Sequence, residues 1–410
     1  MNINNKWMRA AIPALLIHIS VGTVYCWSTF KQAIAEQIGM NSFSVGWAFS
    51  FAIFFLGMSA AFAGKFVEKN IHQSSLVACI CFSVGMIGTG LVIQLCTGWL
   101  ALLGIYLCYG CIMGIGLGVG YLTPVKTLML WFDKNKGLAT GISIMGFGLA
   151  KAIATPIMNI LQEKFGVAAM FYILGGAYFI VMFIGHLLLQ KPKGWIEPQI
   201  EKKQNVLSMF KKPEFVGIWL MFFLNIHCGL MIISYEKQIL NLVFTGSIAL
   251  VTIVSVVPSC TAISNALGRI GYSTISDKCK QRNTIYKIIF ISSIIVSIAM
   301  FAFGFNSMTT LIFGILTIIY LLVVNAGYGG GFSTLPALLS ERFGMTKISQ
   351  IHGLALSAWA VAGLTGNNTS EIILNTTGNY QVVFAVAAGL YIVALLICIF
   401  LVKNKKEVTP

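Results

Sequence analysis

The feature that most constrains this chain is the regular return of apolar stretches, twelve within 410 residues, each long enough to cross a bilayer. A helix needs about 20 apolar residues to span a hydrocarbon core of roughly 30 Å. Lipid offers the backbone no hydrogen-bond partner, so only helices and closed barrels cross it, and stretches of this length select helices. They run over 8–30, 44–66, 74–95, 99–122, 138–161, 167–190, 214–236, 247–276, 285–304, 308–338, 350–373 and 380–402. The expected fold class is an all-α polytopic membrane protein with twelve transmembrane helices. The first stretch is too long for the core of a leader and lacks an Ala-x-Ala-like cleavage pattern, so it reads as a retained span. Between the sixth and seventh, KPKGWIEPQIEKKQNVLSMFKKPE carries three prolines and six lysines and reads as a solvated linker.

A net charge of +15 would suggest a nucleic-acid partner in a soluble chain. Here the placement of the charges excludes it. Of the 27 Lys and Arg, Lys31, Lys164 and Lys237 fall in loops on one side, and Lys151 and Arg269 lie within spans. All the others lie in the termini, the linker or loops on the opposite side. The positive-inside rule then places both termini in the cytoplasm, with the plasma (inner) membrane as the expected location. Ten cysteines, mostly inside apolar segments, lack metal-ligand spacing and read as small buried hydrophobes, so no metal or other cofactor is expected.

The two halves repeat. Gly118-Val119-Gly120-Tyr121-Leu122-Thr123-Pro124 returns as Gly330-Gly331-Phe332-Ser333-Thr334-Leu335-Pro336, and Gly137-Leu138-Ala139 as Gly353-Leu354-Ala355. The turns Glu68-Lys69 and Asp277-Lys278 keep nearly the same offset. Six spans repeated in the same orientation imply two similar six-helix bundles with a cavity between them. The expected organisation is an N-terminal bundle over 1–190, a cytoplasmic linker over 191–213 and a C-terminal bundle over 214–410.

One span carries a charge. In SIALVTIVSVVPSCTAISNALGRIGYSTISDK, Arg269 follows Asn265 by one turn on the same helix face. Insertion scales put an arginine near the middle of a span at about 2.5–3.5 kcal/mol unfavourable, so such residues face a cavity or a partner. The only acidic residue in this stretch, Asp277, stands at its very end, two turns beyond Arg269. Two readings are open: Arg269 awaits an external anion, or it snorkels toward the cytoplasmic surface.

The chain resembles the major facilitator superfamily, and within it the oxalate/formate antiporter family, which is close to the monocarboxylate transporters. The resemblance rests on Gly22-x-x-Tyr25-x-Trp27-Ser28-x-Phe30 and on GIGLGVGYLTPVKTLMLWFDKNKGLATGISIMGFG. It also rests on Asn265-x-x-x-Arg269 with Ser276-Asp277, and on HGLALSAWAVAG. It implies that Arg269 binds a substrate carboxylate inside a cage of Tyr25, Tyr121, Phe147, Tyr328 and Phe332. Paired charge-assisted bonds from a guanidinium suit a planar carboxylate, while packing or an interfacial belt is the plainer role for each aromatic. The superfamily loop motif survives as Gly64-Lys65-Phe66-Val67-Glu68-Lys69 and as Ser273 to Lys278. The resemblance implies that Gly64, Glu68, Lys69, Asp277 and Lys278 latch helices on the cytoplasmic side.

One departure shapes the substrate expectation. Oxalate-specific members carry a lysine in the eleventh span where this chain has Trp359, which favours monocarboxylates such as lactate, pyruvate or formate. Lys151, one turn beyond Phe147, could supply the second cation for a dicarboxylate if it faces inward, or reach the outer surface if it does not. No Asp or Glu lies deep in a span, but His18 and His227 do, offset as in the repeat. They are the candidate proton groups, against a plainer role as neutral histidines bonded between helices. The expected function is secondary transport of a small carboxylate by alternating access, as anion exchange or proton symport, by a monomer in the lipid bilayer. A dicarboxylate antiporter using Lys151 and Arg269, and a drug or organic-cation exporter, are the alternatives within transport; the exporter would normally place an acid where this chain has Arg269. An enzyme or non-transporting sensor lacks support, since the chain shows no catalytic constellation and no soluble output domain.

Overall fold

The computed structural model describes residues 5–194, 206–245, 250–303 and 310–402. It is helical throughout, with no strand among the described residues. The linker segment 195–205 and the first residues of the eighth stretch, from Ser247, lie outside the described residues. In chain order the spans are α1 Trp7–Ile38, α2 Ser42–Lys69, α3 Ile71–Leu95 and α4 Gly98–Trp131. Two further spans share one continuous run, Lys136–Leu188. The second half contributes α7 Pro213–Ile233, α8 Leu250–Ser276, α9 Asn283–Phe303, α10 Thr310–Phe343, α11 Ile348–Thr377 and α12 Tyr380–Phe400.

The run Lys136–Leu188 would be about 80 Å long if straight, far more than a bilayer. Gly166, at φ 82° and ψ 166°, breaks it into α5 (136–165) and α6 (167–188). That conformation is closed to most side chains, so a glycine makes the turn. Asparagine side chains set other starts: Asn41 accepts from Ser44 N at 2.7 Å, Asn70 from His72 N at 3.0 Å, and Asn379 from Gln381 N at 2.8 Å. Each satisfies an amide that would otherwise lack a partner. A short helix, Glu236–Val243, follows α7 and was not apparent in the sequence; it buries Ile239, Leu240 and Val243.

Both ends of the described chain lie on one face, here the terminal face. There Gln190 N bonds to Arg9 O at 3.0 Å, and Asn283 Nδ2 donates to Val402 O at 2.8 Å. The halves meet along two related seams, α2 against α11 and α5 against α8. Glycine makes the approach close: a Cβ on Gly64 would strike the Gln350 backbone, one on Gly353 the Ala60 carbonyl, and one on Gly137 the Ser273 carbonyl. In lipid, where helices gain little by hiding from their solvent, such contacts supply the dispersion that holds helices together.

Candidate anion-binding site

Local backbone brings the site's pieces together. α1 tightens to a 3-10 turn over Gly22–Cys26, and Gly22 lies directly on the Phe147 backbone of α5. This sets Tyr25 edge-on to Phe147, ring centres 5.5 Å apart. Across the interface, Gly329 of α10 abuts the Asn265 carbonyl of α8, which brings Tyr328 and Phe332 up to Arg269.

Arg269 is fully buried, at 0% exposure, which removes the snorkelling arrangement in this structure. Its Nε donates to Asn265 Oδ1 at 2.8 Å, and Nη1 donates to the Ile144 carbonyl at 3.3 Å. The Phe147 and Phe332 rings flank the guanidinium carbon at 5.6 and 5.3 Å, within range of cation–π attraction. Nη2 has no hydrogen-bond partner, and no carboxylate among the described residues lies within 4.0 Å of the side chain.

Around this cation the aromatics form a closed set. Tyr121 packs on Phe147 at 5.7 Å and on Trp359 at 5.6 Å, Trp359 on Phe332 at 4.4 Å, and Tyr328 on Phe332 at 5.1 Å. Tyr25 and Tyr328 join hydroxyls at 2.8 Å. Two more donors, Tyr121 Oη and Trp359 Nε1, are buried without a partner. Tyr25 lies beside Arg269, and Tyr328 beside Trp359. Three unpartnered donors therefore sit in one aromatic cage. Burying such groups unpaired is costly, and an anion carries the acceptors they lack.

The remaining sequence candidates separate. His18 is buried against the cage, 5.4 Å from Tyr121. Its Nδ1 is 2.6 Å from the Ser143 carbonyl and 3.0 Å from Ser143 Oγ, and Nε2 is 3.2 Å from the Tyr121 carbonyl. It ties α1 to α4 and α5. His227 lies elsewhere, its Nδ1 2.9 Å from Thr365 Oγ1 and its ring 5.4 Å from Phe223. Lys151 is half-buried and makes no hydrogen bond or ion pair with a described residue. The Ile144 carbonyl and Ser143 were not among the sequence candidates, since a backbone acceptor leaves no mark in residue type. His352 was also passed over, yet its ring lies 6.0 Å from Tyr121; its spacing of seven from Trp359, which puts both on one helix face, was the available sign.

On the terminal face two carboxylates bridge the halves. Glu68 accepts from Ser349 N at 3.0 Å and from Gln350 Nε2 at 2.6 Å, at the start of α11. Asp277 accepts from Gly137 N at 2.9 Å and Leu138 N at 2.8 Å, at the start of α5. Free amides and the helix dipole make these ends favourable for anions. Gly64 permits the first approach. Lys69 and Lys278, grouped with these acids by resemblance, are exposed; the cations near the carboxylates are Lys126, 3.9 Å from Glu68, and Arg282, 2.7 Å from Asp277.

Residues 14–367 match the family model of the Major Facilitator Superfamily. The chain belongs to that superfamily. Among curated superfamily proteins it is 26% identical over 368 residues to "Uncharacterized MFS-type transporter YhjX" of Escherichia coli (strain K12), covering 88% of this chain and 86% of the relative. It is 22% identical to "Oxalate:formate antiporter" of Oxalobacter formigenes, covering 98% and 92% of the two chains. It is 26% identical to "Monocarboxylate transporter 4" of Gallus gallus, covering 88% and 75%. In fold it is similar to the superfamily's proton:xylose symporter XylE, with a TM-score of 0.76 at 13% identity over 97% of this chain and 96% of that one. The protein is thus an integral membrane protein of the superfamily, with the fold and family of transporters rather than of enzymes.

Proposed function

We propose that this protein carries small carboxylate anions across the membrane by alternating access, with monocarboxylates such as lactate, pyruvate or formate favoured. One observation carries the reading: a fully buried Arg269 whose Nη2 is unpartnered in the same aromatic cage as two other unpartnered donors, Tyr121 Oη and Trp359 Nε1. Relatives described as an oxalate:formate antiporter and a monocarboxylate transporter support the same substrate class.

In this proposal the carboxylate binds Nη2 and is steered by the tyrosine and indole donors, while Phe147 and Phe332 exclude water. The cage draws Tyr25, Tyr121 and Phe147 from the first half and Arg269, Tyr328, Phe332 and Trp359 from the second, so bound anion stabilises the two halves together and they rock around it. Trp359 offers one neutral donor, and Lys151 is no part of the cage, which favours a single carboxylate. Both halves come from one chain, so a monomer suffices. The termini face the cytoplasm, in a plasma (inner) membrane, with the terminal face closed by Glu68 and Asp277. A desolvated cation is costly to carry empty, on the order of several kcal/mol. If that cost blocks the empty carrier, transport is exchange; if Asn265 and the Ile144 carbonyl offset it, the carrier returns empty and His18, at the cage wall, is the candidate for proton symport.

The test is counterflow with purified protein in liposomes, offering formate, lactate, pyruvate, oxalate and malonate, with Arg269→Gln in parallel. Monocarboxylate counterflow lost in Arg269→Gln supports the proposal. Carboxylate uptake indifferent to Arg269→Gln rejects it, and oxalate preferred over all monocarboxylates rejects the finer assignment.

A further inference from the structure

The unpartnered donors do not stop at the cage. Toward the terminal face, α4 and α11 border a narrow seam lined by apolar side chains of α4 together with Lys126, Ser349 and His352. Ser349 Oγ and His352 Nε2 are buried and have no hydrogen-bond partner. Lys126 is buried too, its Nζ 3.9 Å from a Glu68 carboxylate oxygen. The seam adjoins the cage, because the His352 ring lies 6.0 Å from Tyr121. Along α11, His352 is about 10 Å from Trp359, and Ser349 is one turn further toward the terminal face.

What occupies the far end of this row is itself a carboxylate. Glu68 rests on Ser349 N and Gln350 Nε2 and beside Lys126, at the amino end of α11. If α2 and α11 part on the terminal face, Glu68 leaves with α2. The amides at the start of α11 then lose their anion while Ser349 Oγ and His352 are uncovered, and Lys126, on α4 of the same half as α2, stays with Glu68. A carboxylate leaving Arg269 at that moment meets a set of donors built for its own chemistry.

Resting on the carboxylate reading above, we infer that Ser349 and His352, with the amides at the start of α11, form a second, transient carboxylate site on the terminal side of Arg269. In it the transported anion takes the place of the Glu68 carboxylate while the terminal gate is open. The site shortens the apolar distance an unpaired carboxylate must cross, and it makes gate opening and anion release compete for the same donors. Its predicted signature is sidedness: it contributes to binding from the terminal face and not from the opposite one.

The experiment uses full-length protein reconstituted in a single orientation, with labelled lactate presented from either side and the half-saturation concentration read on each. Ser349→Ala and His352→Phe, which remove a donor with little change of shape, are expected to raise half-saturation from the terminal face about tenfold each and from the opposite face less than about twofold. Glu68→Gln loosens the gate while leaving the donors in place, so it is expected to lower half-saturation from the terminal face and raise it from the other. This opposite sign separates loss of a binding site from loss of a gate contact. Half-saturation unchanged on both faces in Ser349→Ala and His352→Phe, or raised equally on both, overturns the inference. Carboxylate transport that survives Arg269→Gln rejects the parent reading instead, and the two failures are told apart by that variant.

Discussion

The hydroxyls of Tyr25 and Tyr328, from opposite halves of the molecule, meet at 2.8 Å beside the Arg269 guanidinium. This bond joins the two halves on the side of the cage away from the chain termini, as Glu68 and Asp277 join them on the terminal face. A buried neutral hydrogen bond contributes on the order of 1 kcal/mol, enough to bias two arrangements without locking either. Tyr25→Phe is therefore expected to shift the equilibrium about fivefold toward opening on that side. The measurement is labelling of single cysteines placed at the mouth opposite the termini; an unchanged labelling rate contradicts the role given to this pair.

Arg269→Lys keeps the charge but not the planar pair of donors. Because charge-assisted bonds are worth roughly 1.5–3 kcal/mol each, losing one is expected to weaken carboxylate binding by about 10- to 100-fold. Arg269→Gln, which also loses the charge, is expected to abolish detectable binding. Substrate protection against thermal unfolding of the purified protein reads both.

Tyr121 and Trp359 each present one unpartnered donor. Tyr121→Phe and Trp359→Phe keep an aromatic ring and remove that donor, so each is expected to raise the half-saturation concentration about tenfold. Tyr121→Phe is further expected to leave the melting temperature unchanged or raised, since a buried group without a partner is removed. A melting temperature that falls with unaltered half-saturation would assign Tyr121 to packing.

Gly353 faces the Ala60 carbonyl and Gly137 the Ser273 carbonyl so closely that neither has room for a Cβ. Gly353→Ala and Gly137→Ala are expected to cost about 1–3 kcal/mol in the arrangement closed on the terminal face. Binding in the open arrangement stays intact. Cysteine accessibility from the terminal face should increase in both variants, and counterflow should slow.

Lys151 is half-buried and makes no ion pair with a described residue. Lys151→Met is expected to leave monocarboxylate half-saturation within about twofold, as for substitutions remote from a site. A selective loss of oxalate transport in this variant would revive the dicarboxylate reading, with Lys151 reaching the substrate in another conformation.

Much of this protein is legible in the chain alone. Membrane crossing is written in segment length, and the pairing of Asn265 with Arg269 follows from one helical turn, appearing as a 2.8 Å bond. The repeated glycine motifs foretold two related halves, and Gly353 and Gly137 indeed take equivalent places at the two seams. The resemblance named the cage aromatics, yet nothing local to Tyr25 or Phe332 marks them as neighbours. Three things required the folded molecule. Rotation of each helix about its axis sets His352 beside Tyr121, and in lipid apolar residues on every face blur the periodicity that would reveal it. Partners more than a hundred residues apart tie His18 to the Ser143 and Tyr121 carbonyls, which have no signature in residue type. Helix ends, not adjacent lysines, hold Glu68 and Asp277, because free amides at the starts of α11 and α5 come within reach only when the two halves pack.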